Sequence, residues 1–284
     1  MEIREKISLD NVIARATELP VLPGTAQKVL AMMGDPDVSV EKIKRIISSD
    51  PSLAMKILKV ANSAFYGGYR NIQNLNQAIL RLGLNAVRNI VVATSMKNVY
   101  KRFGLTERLL MEQITGSALI SSIISSEARI ADPEDAFIGG LLHDIGKVVL
   151  NNEYPDEFAR VMERVYNDSV PFTVAEIEVF AFSHRDLGAM IIKKWGFPES
   201  LELLLKYFDN NERLAKERVL HNLTVIIKLA DIMCQKNGIG WRKSANADID
   251  FGNLPELLRI DNDLMSVITK RMESALGQCI EFYC

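Results

Sequence analysis

Chemistry in this chain concentrates in one stretch, Gly140-Leu141-Leu142-His143-Asp144-Ile145-Gly146-Lys147. A histidine stands directly before an aspartate, between apolar runs. That sets a neutral nitrogen donor beside an anionic oxygen donor, a pair that suits a divalent metal of mixed N/O preference. Two other histidines occur, His184 and His221. A lone histidine is more often a packed or surface residue than a ligand, and His221, in a polar stretch, takes that reading. His143 and Asp144 have two readings: part of a metal site, or part of a buried hydrogen-bonded network.

These residues must be positioned by helices. Cap and first-turn signals recur: Ser39 before an Ile43-Ile46-Ile47 face, Asp50-Pro51, and Asp132-Pro133 at the start of the helix that ends on His143-Asp144. Further helices are expected from Leu9 to Glu18, from Pro23 to a stop at Gly34, from Asn76 with a bend at Leu82-Gly83-Leu84, and from Thr106 to about Ile130. The last is rich in serine and alanine, so a neighbour can approach closely and a central, buried place is expected. Thr173-Val174-Ala175-Glu176 reads as a capping box, and Ser183-His184-Arg185-Asp186 resembles a second. A helix from about Lys216 to Lys236 contains Asp231, Asn237 to Asn253 reads as a loop, and Asp261 to Gln278 as a final helix. Asn62 to Arg70, with paired glycines, reads as a loop in which Asn62 and Ser63 cap a helix end.

Composition bounds the function. The 284 residues are 48% hydrophobic, enough for a large core. With 34 basic and 36 acidic residues the net charge is −2, so no basic excess points to direct nucleic-acid binding. Three cysteines, two of them near the C-terminus, form neither a zinc pattern nor a disulfide framework. The charged start is no signal peptide, and no apolar run approaches the ~20 residues that span a bilayer. The expectation is a soluble, cytoplasmic protein without membrane contact.

Gly-Leu-Leu-His-Asp-Ile-Gly-Lys at 140–147 resembles the core of the HD superfamily of metal-dependent phosphohydrolases. The flanks narrow the match. Leu19-Pro20-Val21-Leu22-Pro23, Asp50-Pro51-Ser52-Leu53, Ala61-Asn62-Ser63-Ala64-Phe65-Tyr66-Gly67 and Ala78-Ile79-Leu80-Arg81-Leu82-Gly83 resemble the HDOD family, the HD-related output domain. So do Phe182-Ser183-His184-Arg185-Asp186-Leu187-Gly188-Ala189 and Trp195-Gly196-Phe197-Pro198. The resemblance implies an all-α fold, an HD-domain-like helical bundle with an N-terminal helical subdomain. Expected divisions are 1–103 for that N-terminal bundle, 104–240 for an HD-like subdomain with a degenerate site, and 241–284 for a C-terminal loop and helix packed on the core.

The resemblance also implies a ligand set. His143 and Asp144 match the HD pair, His184 a later family histidine, and Asp231 the last family aspartate. Gln113 or Ile114 stands where active relatives of the HD-GYP type carry a histidine, Tyr207-Phe208 where they carry a histidine pair, and the HD-GYP hallmark is missing. His143, Asp144, His184 and Asp231 are therefore candidate ligands of one divalent metal (Mg, Mn, Fe or Zn), with none required. Lys147 and Arg185 lie close to the motifs and have two readings, cations for the oxygens of a phosphate substrate or the solvated surface that lysine and arginine near helix ends usually form. What the resemblance implies is a bacterial-type signalling or regulatory interaction module without turnover, its partner an unidentified signalling protein. The alternatives are a mononuclear metal phosphohydrolase acting on a nucleotide or phosphoester, and a nucleotide or cyclic-dinucleotide sensor that does not hydrolyse.

Overall fold

Local capping chemistry sets most of the helix starts. In the structure, a computed structural model, residues 22–33, 38–66, 72–102, 104–214, 216–240 and 250–283 are described. The expected helix at Leu9–Glu18, the Gly34 stop, Gly67–Arg70 and most of the Asn237–Asn253 loop lie outside them. Among the described residues there is no strand.

The first helices are α1 (Gly24–Met33), α2 (Val40–Ser48), α3 (Pro51–Ala61) and α4 (Leu75–Ser95). Ser39 accepts from the Lys42 N–H, and Asp50 from the Leu53 N–H at 3.0 Å, as the cap signals require. The cap of α4 is Asn74 rather than Asn76, its side chain accepting from the Gln77 N–H. Gly83 has φ +78° inside α4, so the expected bend is a true break in the helical backbone. Asn62 clamps the loop after α3: it donates to the carbonyls of Leu58 and Ile72 and accepts from the Ile72 N–H.

The second group comprises α5 (Leu105–Ala128), α6 (Pro133–Leu142), α7 (Ile145–Glu153), α8 (Pro155–Asp168), α9 (Phe172–Phe180) and α10 (His184–Lys194). It continues through α11 (Glu199–Lys206), α12 (Asn211–Leu214), α13 (Arg218–Lys236), α14 (Leu254–Leu257) and α15 (Asn262–Tyr283). The start of α5 is Gly104, whose N–H donates to the Glu107 carboxylate, and not Thr106. The reason is physical: Glu107 reaches back to an orphan N–H before Thr106 is reached.

Helix α5 is the axis of the fold. Thr115, Ser117, Ala118, Ser121 and Ser125 are all buried, and α6, α13 and α15 pack against it. The approach is closest at Gly140, where an added Cβ would stand 2.7 Å from the Ser117 carbonyl oxygen and 2.9 Å from Ala118 Cα. Ile268 and Met272 of α15 are fully buried, and Arg271 pairs with Glu127 at the end of α5. The buried apolar cluster runs unbroken from Leu22 to Ala275, across the junction at 103–104. Asn89 of α4 crosses that junction by donating to the backbone and carboxylate oxygens of Glu134, each at 2.8 Å. No helix among the described residues is long and apolar enough to cross a membrane.

The Gly140 contact sets a test. Gly140→Ala forces two backbones apart and is expected to cost about 1–3 kcal/mol, read as a fall in the urea midpoint. Gly24→Ala, with open space around the new methyl, is expected to stay within about 0.5 kcal/mol of the parent.

Candidate functional site

The apolar run Phe137–Leu142 drives α6 into the core, so the residues after it are buried too: His143 is fully buried and Asp144 is 1% exposed. A second close contact fixes what faces them. A Cβ on Gly146 would stand 2.0 Å from the His184 carbonyl oxygen, so the starts of α7 and α10 touch through their backbones. His184 thereby meets Asp144 although forty residues of chain separate them.

The contacts form a chain. His143 Nδ1 lies 2.7 Å from the Gly140 carbonyl oxygen, which can only accept, so that nitrogen carries the proton. His143 Nε2 then faces Asp231 Oδ1 at 3.3 Å and Asp144 Oδ2 at 3.5 Å. On the other side, His184 Nε2 faces Asp144 Oδ1 at 3.2 Å. His184 Nδ1 is 2.6 Å from Glu176 Oε2, and the same oxygen accepts from the His184 N–H at 2.9 Å. The order is Asp231, His143, Asp144, His184, Glu176. All four expected residues are thus brought together, with Asp144 at the centre.

Lys147 and Arg185 are not solvated. Lys147 is 6% exposed, its Nζ 2.7 Å from Asp144 Oδ2. Arg185 Nη1 donates to Asp144 Oδ1 at 3.2 Å and to the His143 carbonyl oxygen at 2.8 Å. Both lie within the ionic network because Asp144 is buried and draws cations to itself. Gln113, and not the buried apolar Ile114, reaches the site by donating to Asp231 Oδ1. Phe208 covers it: its ring stacks on His143 at 5.7 Å between centroids, and the Arg185 guanidinium lies 3.9 Å above that ring. His221 takes no part in this chain of contacts.

Glu176 is the residue of this cluster that the motif reading misassigned. It does not cap α9, which starts at Phe172 behind Pro171. Its carboxylate is fully buried and turned to His184. A signal was present: Glu176 shares a helix face with the apolar Phe172 and Phe180, four residues away on either side. A carboxylate on an apolar face needs a buried partner.

The charges set protonation. Burial pushes the Asp144 carboxyl up, but His143, Lys147, His184 and Arg185 outweigh it and hold it well below the ordinary carboxylate range. Burial pushes the His143 imidazole down, and the carboxylates of Asp144 and Asp231 reverse this and hold it above the ordinary histidine value. Asp231, 26% exposed at its side chain, is likewise held down by His143 against the effect of burial.

The HDOD domain family model matches residues 19–210. The chain belongs to the HDOD domain family. An uncharacterized protein of Treponema pallidum (strain Nichols) is 24% identical over 204 residues, 70% of this HDOD chain and 39% of that protein. The chain therefore spans about two fifths of the length of that curated relative. An HDOD domain protein of unknown function from Geobacter sulfurreducens superposes with a TM-score of 0.76 at 22% identity, over 96% of this chain and 95% of that one. A protein from Shewanella amazonensis SB2B, provisionally named a phosphohydrolase, gives 0.73 at 22% identity over 96% of both chains. One from Marinobacter aquaeolei VT8, provisionally named a signal transduction protein, gives 0.70 at 21% over all of this chain and 62% of that one. At these identities the likeness is one of fold, and it is the all-α, HD-like fold expected of an HDOD protein.

The Asp144 hub predicts a pH dependence of stability. A carboxyl depressed on folding contributes stability that is fully present above its unfolded value and is lost as pH falls through the folded one. Asp144→Asn strands Lys147 and Arg185 and is expected to cost about 3–5 kcal/mol near neutral pH. In urea unfolding, that deficit should shrink as pH falls below the ordinary carboxylate range. His143 has the opposite sign. Its contribution is present below the ordinary histidine value and is lost as pH rises through the raised one, so the deficit of His143→Gln should shrink on the alkaline side.

Proposed function

We propose that this HDOD chain is a non-catalytic signalling or regulatory interaction module whose HD pair serves as a structural hub. The observation that carries the reading is the pair of resident cations on Asp144. Lys147 takes one carboxylate oxygen and Arg185 the other, while Gln113 donates to the Asp231 oxygen that faces His143. The carboxylate oxygens that a divalent ion would draw on thus already have partners within the chain, and freeing them would leave Lys147 and Arg185 without theirs.

The donor set therefore does not fit a catalytic metal. Catalysis needs ligand oxygens free to turn to the ion and one open position for water. Here Phe208 and Arg185 lie over the pair. The candidate ligands lie in a line of contacts, and among the described residues no group of three or more His, Cys, Asp or Glu side chains is arranged to hold a metal ion. The partner on this reading is a signalling protein, and the setting is the cytoplasm.

One observation favours a second reading, a mononuclear phosphohydrolase. The Nε2 atoms of His143 and His184 are buried without a hydrogen-bond partner, and both face Asp144. Metal analysis of the purified chain, with Mn²⁺ titration calorimetry and assays on bis(p-nitrophenyl) phosphate and p-nitrophenyl phosphate, separates the two. The expected result is substoichiometric metal and no turnover. Stoichiometric metal, with hydrolysis abolished in His143→Ala, would overturn the module reading in favour of the enzyme.

A further inference from the structure

A cavity of about 760 Å³ opens between α11 and the start of α13. Its floor is apolar: Leu203, Leu214 and Leu220. Its rim carries two exposed cations, Arg213 and Lys216, against one acid, Glu217. Among the described residues neither Arg213 nor Lys216 is held in an ion pair; Arg213 instead lies 4.4 Å above the ring of Tyr207. An apolar floor, an aromatic wall and an excess of cations at the mouth suit a ligand with an apolar or aryl body and an anionic head.

The turn after α11 joins this cavity to the ionic hub. Its residues divide between two surroundings. Tyr207 and Asn210 line the cavity. Phe208 is 4% exposed and stacks on His143, and Asp209 Oδ2 lies 3.5 Å from Arg185 Nε. The turn is closed by the Asn210 N–H donating to the Tyr207 carbonyl oxygen at 2.8 Å. The cavity-lining Tyr207 is thus the chain neighbour of the ring that covers His143.

The geometry points to a binding site for a small organic anion, an aryl or alkyl carboxylate, sulfonate or phosphate, whose occupancy reaches the His143–Asp144 hub through residues 207–210. This rests on the regulatory-module reading and gives that module an input site.

The test uses the full chain and 8-anilinonaphthalene-1-sulfonate as the anionic probe, with the uncharged N-phenyl-1-naphthylamine as its control. Fluorescence and calorimetry are expected to show one saturable sulfonate site, with the neutral analogue binding more weakly. Arg213→Glu/Lys216→Glu, at two exposed positions that leave the core intact, should weaken the sulfonate roughly tenfold. Imidazole NMR reads the relay, because the chain has three histidines and the His143 signal is assigned from His143→Gln. That signal should shift on saturation in the parent, and should stay put in Phe208→Leu while binding persists. Absence of saturable binding, equal affinity for the neutral analogue, or an unaffected charge-reversed variant would overturn the site. Binding without a His143 shift would overturn the relay. Metal uptake with phosphoester turnover is a separate readout, and it would sink the module reading while leaving the anion site standing.

Discussion

A carboxylate taken wholly out of water must be met by positive charge or by donors, and Asp144 is such a carboxylate. Its two oxygens draw in Lys147 from α7, Arg185 and His184 from α10, and His143 from the end of α6. His143 then reaches Asp231 on α13, and Asp231 reaches Gln113 on α5. Five helices are thus referred to one buried anion. Removing any one partner strands the others in a medium that does not hydrate them, so the contacts stand or fall together.

Close packing makes this hub reachable. Gly140 lets α6 lie on the backbone of α5, and Gly146 lets α7 meet the first residue of α10. Each contact leaves no room for a methyl group. The glycines of the motif at 140–147 therefore act as spacers, and the His-Asp pair between them is placed by backbone contact rather than by side-chain reach. Phe208 and Arg185 then cover the buried pair, and burial strengthens every charge contact beneath them.

Parts of the fold were legible because their causes are local. Asp50-Pro51 and Asp132-Pro133 start helices as a cap followed by a first-turn proline must. Ser183 and Asp186 form the expected reciprocal cap. Where two local solutions compete, the reading slipped: Gly104 with Glu107 displaced Thr106, and Asn74 displaced Asn76. Glu176 slipped for a different reason. Its spacing from Thr173 imitates a capping box, while its true partner, His184, is brought to it only by the fold.

By itself the sequence determined the all-α class, most helix starts, the family, and the four residues His143, Asp144, His184 and Asp231 that meet in one place. The class and the helix starts follow from short-range periodicity and capping, the family and the four residues from the resemblance that the motifs carry. Only the tertiary structure decided what surrounds them: Lys147 and Arg185 turned inward on Asp144, Gln113 on Asp231, Glu176 behind His184, and Phe208 over His143. The physical reason is that charge contacts fall off over a few ångströms and are set by which helix backbones can touch. No spacing along the chain encodes that distance.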